Sequence, residues 1–470
     1  MIREIEITNF RSIRHDSISL EPFTVLIGAN GSGKSNLVKA LEFLSDLPSA
    51  GIDYAVSKQG GRDGILPKEI PIKEIARSPT IIRYKVCLPP PDDDASRPTS
   101  VDVVHEFKLG FTKKNTGISI KNDELTFHKV LYVGRRLNDA KKTQTVELGA
   151  PEHPNSDSLF RLTQRGKRVA YDFDPPISKE TLDDYVHWLG LDVLRDQIST
   201  PNELKQFLST YKKWRNTKRS GLGGDNLNEP KGLLTDPAIN TAINFAPQNY
   251  MFLTNISSIR RYDLLLHELR QEQPPSDSAQ LSKVGANMPS AFRKLASDSG
   301  VINRLRSSFD AIAPHIREIK ASSLRTGKEF IEFVESVHGR GIESWESSDG
   351  SLRALAILVA LETADEGQTV IIEEPEQNLH PWAIRTVIDH MKTIVEEKGV
   401  QIIVTTHSEH VLERVNADEV RVVSRSRGKG TIFKRIDQII TGRKIVMGEV
   451  GRLWVKGLLG GVPEVEEDML

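Results

Sequence analysis

Gly28-Ala29-Asn30-Gly31-Ser32-Gly33-Lys34-Ser35 is the stretch on which the fold turns. It satisfies G-x-x-x-x-G-K-[ST], a loop whose glycines let successive backbone N–H groups curl around phosphate oxygens. Its lysine reaches the outer phosphates and its last hydroxyl ligates Mg²⁺. Phe23 to Ile27 ahead of it is a short apolar β-type run. Asn36 to Ser45 behind it carries Leu37, Ala40, Leu41 and Leu44 at helical spacing. The loop therefore joins a strand to a helix N-terminus, where backbone donors and the helix dipole both favour an anion. Asn30, Gly31, Ser32, Gly33, Lys34, Ser35 and Asn36 are the candidate phosphate contacts, and Ser35 is also a candidate Mg²⁺ ligand. An ordinary Gly-rich turn is the alternative.

The chain has 470 residues, room for two or three domains or for one domain with a large insertion. Its 63 Lys+Arg and 64 Asp+Glu leave a net charge of -1, so any nucleic-acid contact must be a local patch. A single cysteine, Cys87, excludes an internal disulfide framework. The opening Met1-Ile2-Arg3-Glu4 lacks the apolar run of a secretory signal, so a cytoplasmic setting is expected. The longest apolar run, Ala354 to Leu361, falls short of the roughly 18 to 20 residues that span a bilayer, so no membrane is expected.

A second group of motifs lies far downstream. Thr369 to Ile372 is a β-branched run ending at Glu373-Glu374-Pro375, two carboxylates at the C-terminal edge of a buried strand. Phosphoryl transfer needs metal charge and one positioned base. Glu373 would hold Mg²⁺ through its water shell, while Glu374 would orient and deprotonate the attacking water. Pro381 opens a helix with Ile384, Val387, Ile388, Met391 and Ile394 on one face. Gln401 to Thr406 is then a further buried strand, ending at His407. Ser348-Asp349-Gly350-Ser351 opens an apolar helix, a turn that offers a hydroxyl, backbone N–H groups and a positive dipole end, or simply an N-cap.

Two strands precede the loop. Ile5 and Ile7, then Ile18 and Leu20, alternate with polar neighbours around Asn9-Phe10-Arg11-Ser12-Ile13. Taken with the Walker A loop, this opening resembles the ABC-type ATPase heads of the SMC, RecF and OLD (overcoming lysogenization defect) group. The resemblance covers roughly residues 1 to 60 and 320 to 425. It implies an α/β composite head in which N- and C-terminal lobes form one domain with a β-plus-helical insertion. The lobes are drawn at 1–125 and 321–440, with an insertion at 126–320 and a tail at 441–470.

What the resemblance implies about the site is specific. ATP and Mg²⁺ are the expected ligands, and Arg11 joins the nucleotide-binding set. Gln59 would be a Q-loop glutamine on Mg²⁺, or else a surface turn beside Gly60 and Gly61. Ser348 and Gly350 would be the ABC signature, acting in trans on nucleotide held by a second subunit. Glu376 to Pro381 would be the D-loop, and His407 the switch histidine that senses the γ-phosphate. Glu373 stands where transporter-type relatives carry aspartate. Two copies would close on two ATP·Mg²⁺.

The expected partners are a second copy of the chain, as a homodimer or larger assembly, and a separate effector, a nuclease or toxin, in genome maintenance or anti-phage defence. A built-in TOPRIM nuclease after His407 is not expected. DNA is the alternative partner. Tyr211 to Arg219, basic with Trp214 interleaved, is a candidate nucleic-acid contact or a solvated helix face, and Ser258 to Tyr262 is a weaker one. Asp92, Asp93 and Asp94 after three prolines read as a solvated loop rather than a metal site. Short helices are expected at Asp183 to Leu191, Asn202 to Trp214, Tyr262 to Leu269, Pro289 to Ala296 and Val301 to Ile312. The apolar tail Leu453 to Leu459 is expected to pack on the head or on another protein.

Overall fold

The computed structural model describes residues 1–71, 73–74, 77–88, 99–111, 118–131, 158–165, 168–172, 200–204, 206, 254–337, 339–426, 428–442 and 445–460. The alternation at the N-terminus gives β1 (Ile2–Phe10) and β2 (Ile13–Ser19), followed by the wholly buried β3 (Phe23–Ile27). After the loop, α1 (Lys34–Ala50) runs five residues beyond the expected Ser45, through Pro48. Pro48 removes one backbone donor only in the last turn, where little helix remains to be broken.

The chain forms two compact units. One is made of Ile2–Ser19 and Phe43–Ser257, the other of Met1, Leu20–Glu42 and Ser258–Leu470. The chain passes from one unit to the other at Met1/Ile2, Ser19/Leu20, Glu42/Phe43 and Ser257/Ser258.

The first unit holds α2 (Ile52–Lys58), α3 (Gly61–Ile65) and β4 (Thr80–Leu88). It continues with β5 (Thr99–Phe111), β6 (Ile118–Leu131), β7 (Ser158–Arg165) and β8 (Arg168–Asp172). Within it, β2, β1, β4, β5, β6, β7 and β8 pair antiparallel in that order. Alternate positions Ile5, Ile7, Ile82, Tyr84 and Val86 are buried, as a sheet with one dry face requires. Phe43 of α1 packs its ring 6.0 Å from Phe10 and 6.5 Å from Phe107. The expected helix at 183–191, most of that at 202–214, the basic stretch 211–219 and the Asp92–Asp94 loop lie outside the described residues.

The second unit carries the loop. After β9 (Arg260–Tyr262) come α4 (Leu266–Arg270), α5 (Met288–Leu295) and α6 (Ser299–Ile312). A separate antiparallel sheet follows, β10 (Ile316–Ser323), β11 (Glu329–Glu335) and β12 (Gly341–Glu343). Next are α7 (Asp349–Glu362), β13 (Thr369–Glu373), α8 (Pro381–Lys398), β14 (Gln401–Thr406) and α9 (Glu409–Leu412). The hairpin β15 (Val420–Ser426) and β16 (Gly430–Arg435), then α10 (Ile436–Ile439) and α11 (Glu449–Val455), complete it.

The expected helix at Tyr262 to Leu269 is a correction. Arg260 to Tyr262 pair in parallel with Val370 to Ile372 of β13, and helix is confined to Leu266–Arg270. A free sheet edge satisfies the backbone of Arg260 to Tyr262 and overrides the helical spacing. Tail packing is divided. Trp454 and Leu459 are buried in the core of this unit, while Val455 and Leu458 face solvent.

The main sheet of this unit has the order β16, β15, β3, β14, β13, β9, and every pairing from β15 to β9 is parallel. Thr405 lies opposite both Glu373 and Leu26, and Thr406 lies opposite Ile27. The carboxyl ends of β3, β13 and β14 therefore finish side by side, the edge at which open α/β sheets bind ligands. Helices α5 to α8 cover this sheet with Phe292, Leu305, Phe309, Leu355, Val359, Ile384 and Ile388. Among the described residues, no helix is long and apolar enough to cross a membrane.

Candidate nucleotide site

The loop is shaped by its glycines and braced from the C-terminal hairpin. Gly33 has φ 113°, outside the range that L side chains favour, and a Cβ there would lie 2.1 Å from Thr431 Oγ1. That hydroxyl donates to Ser32 O at 2.9 Å, so β16 holds the turn from behind. Lys34 is almost fully buried. Its Nζ donates to Gly28 O at 2.6 Å, to Ala29 O at 3.3 Å and to His407 Nε2 at 2.9 Å. Burial pushes this ammonium down to about 8, although Glu374, Glu376 and Glu373 all pull it upward.

The two acids separate into different settings. Glu373 Oε2 accepts from Ser35 Oγ at 3.0 Å, and its Oε1 lies 2.6 Å from Arg261 Nε. Glu374, one residue past the strand, takes φ 48°, a strained value for a residue with a Cβ. Its backbone is pinned on both sides. Glu374 N donates to Thr405 O at 2.8 Å, and Arg353 Nη2 donates to Glu374 O at 3.2 Å. The side chain accepts from Gln377 Nε2 and lies 3.9 Å from His407 Nε2. His407 in turn donates its backbone N–H to Glu376 Oε1 at 2.9 Å. Burial first, and Lys34 next, depress the imidazole despite Glu374 and Glu376, consistent with a neutral ring accepting from Lys34.

The Ser348 region forms a neighbouring group. Ser348 is the N-cap of α7, its Oγ accepting from Ser351 N at 3.1 Å and donating to Ser351 Oγ at 2.8 Å. A Cβ on Gly350 would lie 2.8 Å from Asn378 O, so the turn and the Glu376 to Pro381 loop touch closely here. Arg270 clamps the turn by donating to Trp345 O at 2.7 Å, Ser347 O at 2.8 Å and the Asp349 carboxylate. Arg11 and Gln59 are brought to each other within the other unit. Arg11 Nη2 donates to Gln59 Oε1 at 2.9 Å and to Gln59 O at 3.2 Å. Gln59 is buried rather than a surface turn, and its amide oxygen is occupied by Arg11.

The structure thus brings together Lys34, Ser35, Glu373, Glu374 and His407. Arg261 and Arg353 are additions. Arg353 interrupts an apolar helix run, and a charge in such a run that ends up buried is the signal that could have exposed it. Arg260 and Arg261, read as a weak nucleic-acid contact, are engaged inside this unit. Arg260 Nη1 donates to Leu281 O at 3.1 Å, and Arg261 pairs with Glu373 and Glu42.

The donor set fits a nucleotide phosphate with a divalent cation. Ser32 Oγ is shielded from solvent and has no hydrogen-bond partner among the described residues, and Lys34 Nζ is turned onto carbonyls of its own loop. Ser35 and Glu373 set a hydroxyl and a carboxylate in contact, a pair of hard oxygen donors suited to Mg²⁺.

A strand–loop–helix phosphate cradle, with acid-bearing and histidine-bearing strands ending beside it, defines a P-loop ATPase head of the SMC, RecF and OLD type. The family described as "AAA domain, putative AbiEii toxin, Type IV TA system" matches residues 153–413, more than half of the chain, and this protein belongs to it. A second family, "AAA ATPase domain", matches residues 1–160.

Among curated relatives, the Old nuclease of Escherichia phage P2 is 22% identical over 457 residues, covering 93% of this chain and 62% of the relative. The DNA replication and repair protein RecF of Acidothermus cellulolyticus is 36% identical over 72 residues, 15% of this chain and 19% of the relative. The chain thus spans under two thirds of the length of either. Among solved structures, the Smc head bound to the C-winged helix domain of ScpA overlays with TM-score 0.41 and 13% identity, covering 93% of this chain and 99% of that one. The SMC head domain from Thermotoga maritima overlays with TM-score 0.38 and 12% identity, covering 93% and 98%.

Proposed function

We propose that this chain binds ATP·Mg²⁺ and hydrolyses it, and that two copies close on the nucleotide to drive an effector protein. The observation that carries the reading is the meeting of Lys34, Ser35, Glu373, Glu374 and His407 at one sheet edge. Lys34 and the amides of Asn30 to Asn36 would hold the phosphates, and Ser35 and Glu373 would hold Mg²⁺. Bound there, the metal supplies the positive charge that phosphoryl transfer needs.

The chain's own work is positioning and proton transfer. Glu374 accepts the proton of the attacking water at a carboxylate oxygen, and its strained backbone, fixed by Arg353, aims that oxygen. His407, neutral and hydrogen-bonded to Lys34, reports whether the lysine is engaged by phosphate. Ser348 and Gly350 would face the nucleotide of a second copy.

Similarity to a nuclease across 93% of this chain supports a nuclease or toxin as the effector, in genome maintenance or anti-phage defence. The lone Cys87 suits a reducing cytoplasm. Glu374→Gln should keep ATP binding, lose at least about 100-fold in turnover and accumulate the closed dimer on gel filtration. Turnover at the parental rate would overturn the assignment of the base. The RecF match favours direct DNA binding as a second reading. DNA-stimulated turnover, lost when Lys212, Lys213, Arg215 and Lys218 are changed to Glu, would establish it.

A further inference from the structure

Arg261 sits 112 positions from the acid it touches (373 − 261), on a strand of three residues. In the parallel pairing of β9 with β13, Arg261 lies opposite Ile371. Side chains alternate along a strand, so Arg261 shares its face with Ile371 and with Glu373 two residues on. The guanidinium then bridges three acids. Nε is 2.6 Å from Glu373 Oε1, Nη1 donates to Glu42 Oε2 at 3.2 Å, and Nη2 is 3.6 Å from Asp263 Oδ2. Glu42 is itself largely buried and is held at its other oxygen by Lys283 at 2.5 Å.

Two details make the Glu373 contact more than a surface ion pair. Arg261 Nε and Glu373 Oε1 are both shielded from solvent and neither makes a hydrogen bond among the described residues, so their 2.6 Å approach is a buried ion contact and the charge of each is answered by the other. The opposite carboxylate oxygen, Oε2, accepts from Ser35 Oγ. A glutamate has one more side-chain torsion than an aspartate, so its carboxylate needs more restraint to present one chosen oxygen. Arg261 supplies that restraint with a planar fork fixed at its far end by Glu42.

We propose that Arg261 is a positioning residue of this site: by holding Glu373 Oε1 it keeps Oε2 on Ser35, so that the hydroxyl and carboxylate are arranged for the divalent cation before it binds. The inference rests on the proposed ATP·Mg²⁺ reading of the site. It also gives the segment that enters this unit at Ser258 a direct hold on metal affinity, because β9 begins two residues later.

The test uses full-length protein loaded with a slowly hydrolysed ATP analogue and titrated with Mn²⁺, followed by electron paramagnetic resonance. Nucleotide affinity is measured separately in EDTA. Arg261→Gln should weaken Mn²⁺ binding by about 10-fold, as loss of a partner that orients a metal ligand commonly does. Its metal-free nucleotide affinity should stay within about twofold, because Arg261 is placed on the acid and not on the phosphate loop. Arg261→Lys should recover part of the loss, since an ammonium can meet Glu373 or Glu42 but not both in a fork.

If Arg261→Gln does not fold, Glu42→Gln decides. It keeps the Arg261 charge but frees its far end, and should weaken Mn²⁺ binding by a few-fold. Mn²⁺ affinity that is unchanged, or tighter as removal of a competing cation would give, overturns the positioning role. Failure of the parental protein itself to bind nucleotide and Mn²⁺ would instead refute the ATP·Mg²⁺ reading.

Discussion

Gly33→Ala tests whether the C-terminal hairpin holds the phosphate loop in shape. At φ 113° an alanine is strained, at a cost of about 1–3 kcal/mol. Its Cβ would lie 2.1 Å from Thr431 Oγ1, 2.8 Å from Cγ2 and 3.0 Å from Cβ of the same side chain, which is fully buried. Overpacking of this kind adds about 1–3 kcal/mol, so the total is about 2–6 kcal/mol. Thr431→Ala alone removes the hydrogen bond to Ser32 O and should cost about 1–2 kcal/mol.

In the double variant the close contacts at Oγ1 and Cγ2 vanish while the φ strain remains. The two substitutions should therefore be less than additive by about 1–2 kcal/mol. Urea unfolding of the four proteins gives the cycle, and titration with a fluorescent ATP analogue shows whether loop shape follows stability. Additivity within about 0.3 kcal/mol would refute the claim that Thr431 and Gly33 are in enforced contact.

Two further outcomes follow from buried charges. Burial alone would raise the Glu362 carboxyl, but the His390 ring nitrogen 3.2 Å away, two hydrogen bonds from Arg304 and the charge of Lys398 outweigh it and hold the group down to about 2. A folded value below the unfolded one means stability that is present above about pH 4.3 and is lost as pH falls toward 2. Glu362→Gln should cost about 2 kcal/mol at pH 7, allowing for solvent screening, with the gap to the parent closing on acidification. Urea midpoints from pH 3 to 7 measure it, and a pH-independent gap would refute it. Arg353→Met, which frees the Glu374 carbonyl, should lower kcat about 10-fold or more while ATP affinity stays within about threefold, and equal loss in both would show that Arg353 serves only the fold.

The parts legible in the sequence are those written in contiguous residues. Phe23 to Ser35, Thr369 to Glu374 and Gln401 to His407 each combine a buried strand with the candidate site residues at its end, so a local pattern places both, and parallel pairing brings the ends together. Arg261 was illegible because three strand residues on a sheet edge look like a basic helix start until β13 is beside them. Thr431 and Arg353 likewise act on backbone atoms, Ser32 O and Glu374 O, which any residue presents. Gln59 shows the opposite limit, since a glutamine next to glycines reads as a turn until Arg11 is found on its amide.

The central claim, that each nucleotide is completed by a second copy, is tested most directly by mixing two inactive variants. Lys34→Ala keeps an intact Ser348 turn, and Ser348→Arg keeps an intact phosphate loop. Half of the randomly formed dimers then pair one of each, and each such dimer holds one complete site. ATP turnover in the equimolar mixture should recover to about a quarter of the parental rate. No recovery, with Ser348→Arg still binding nucleotide, would contradict it.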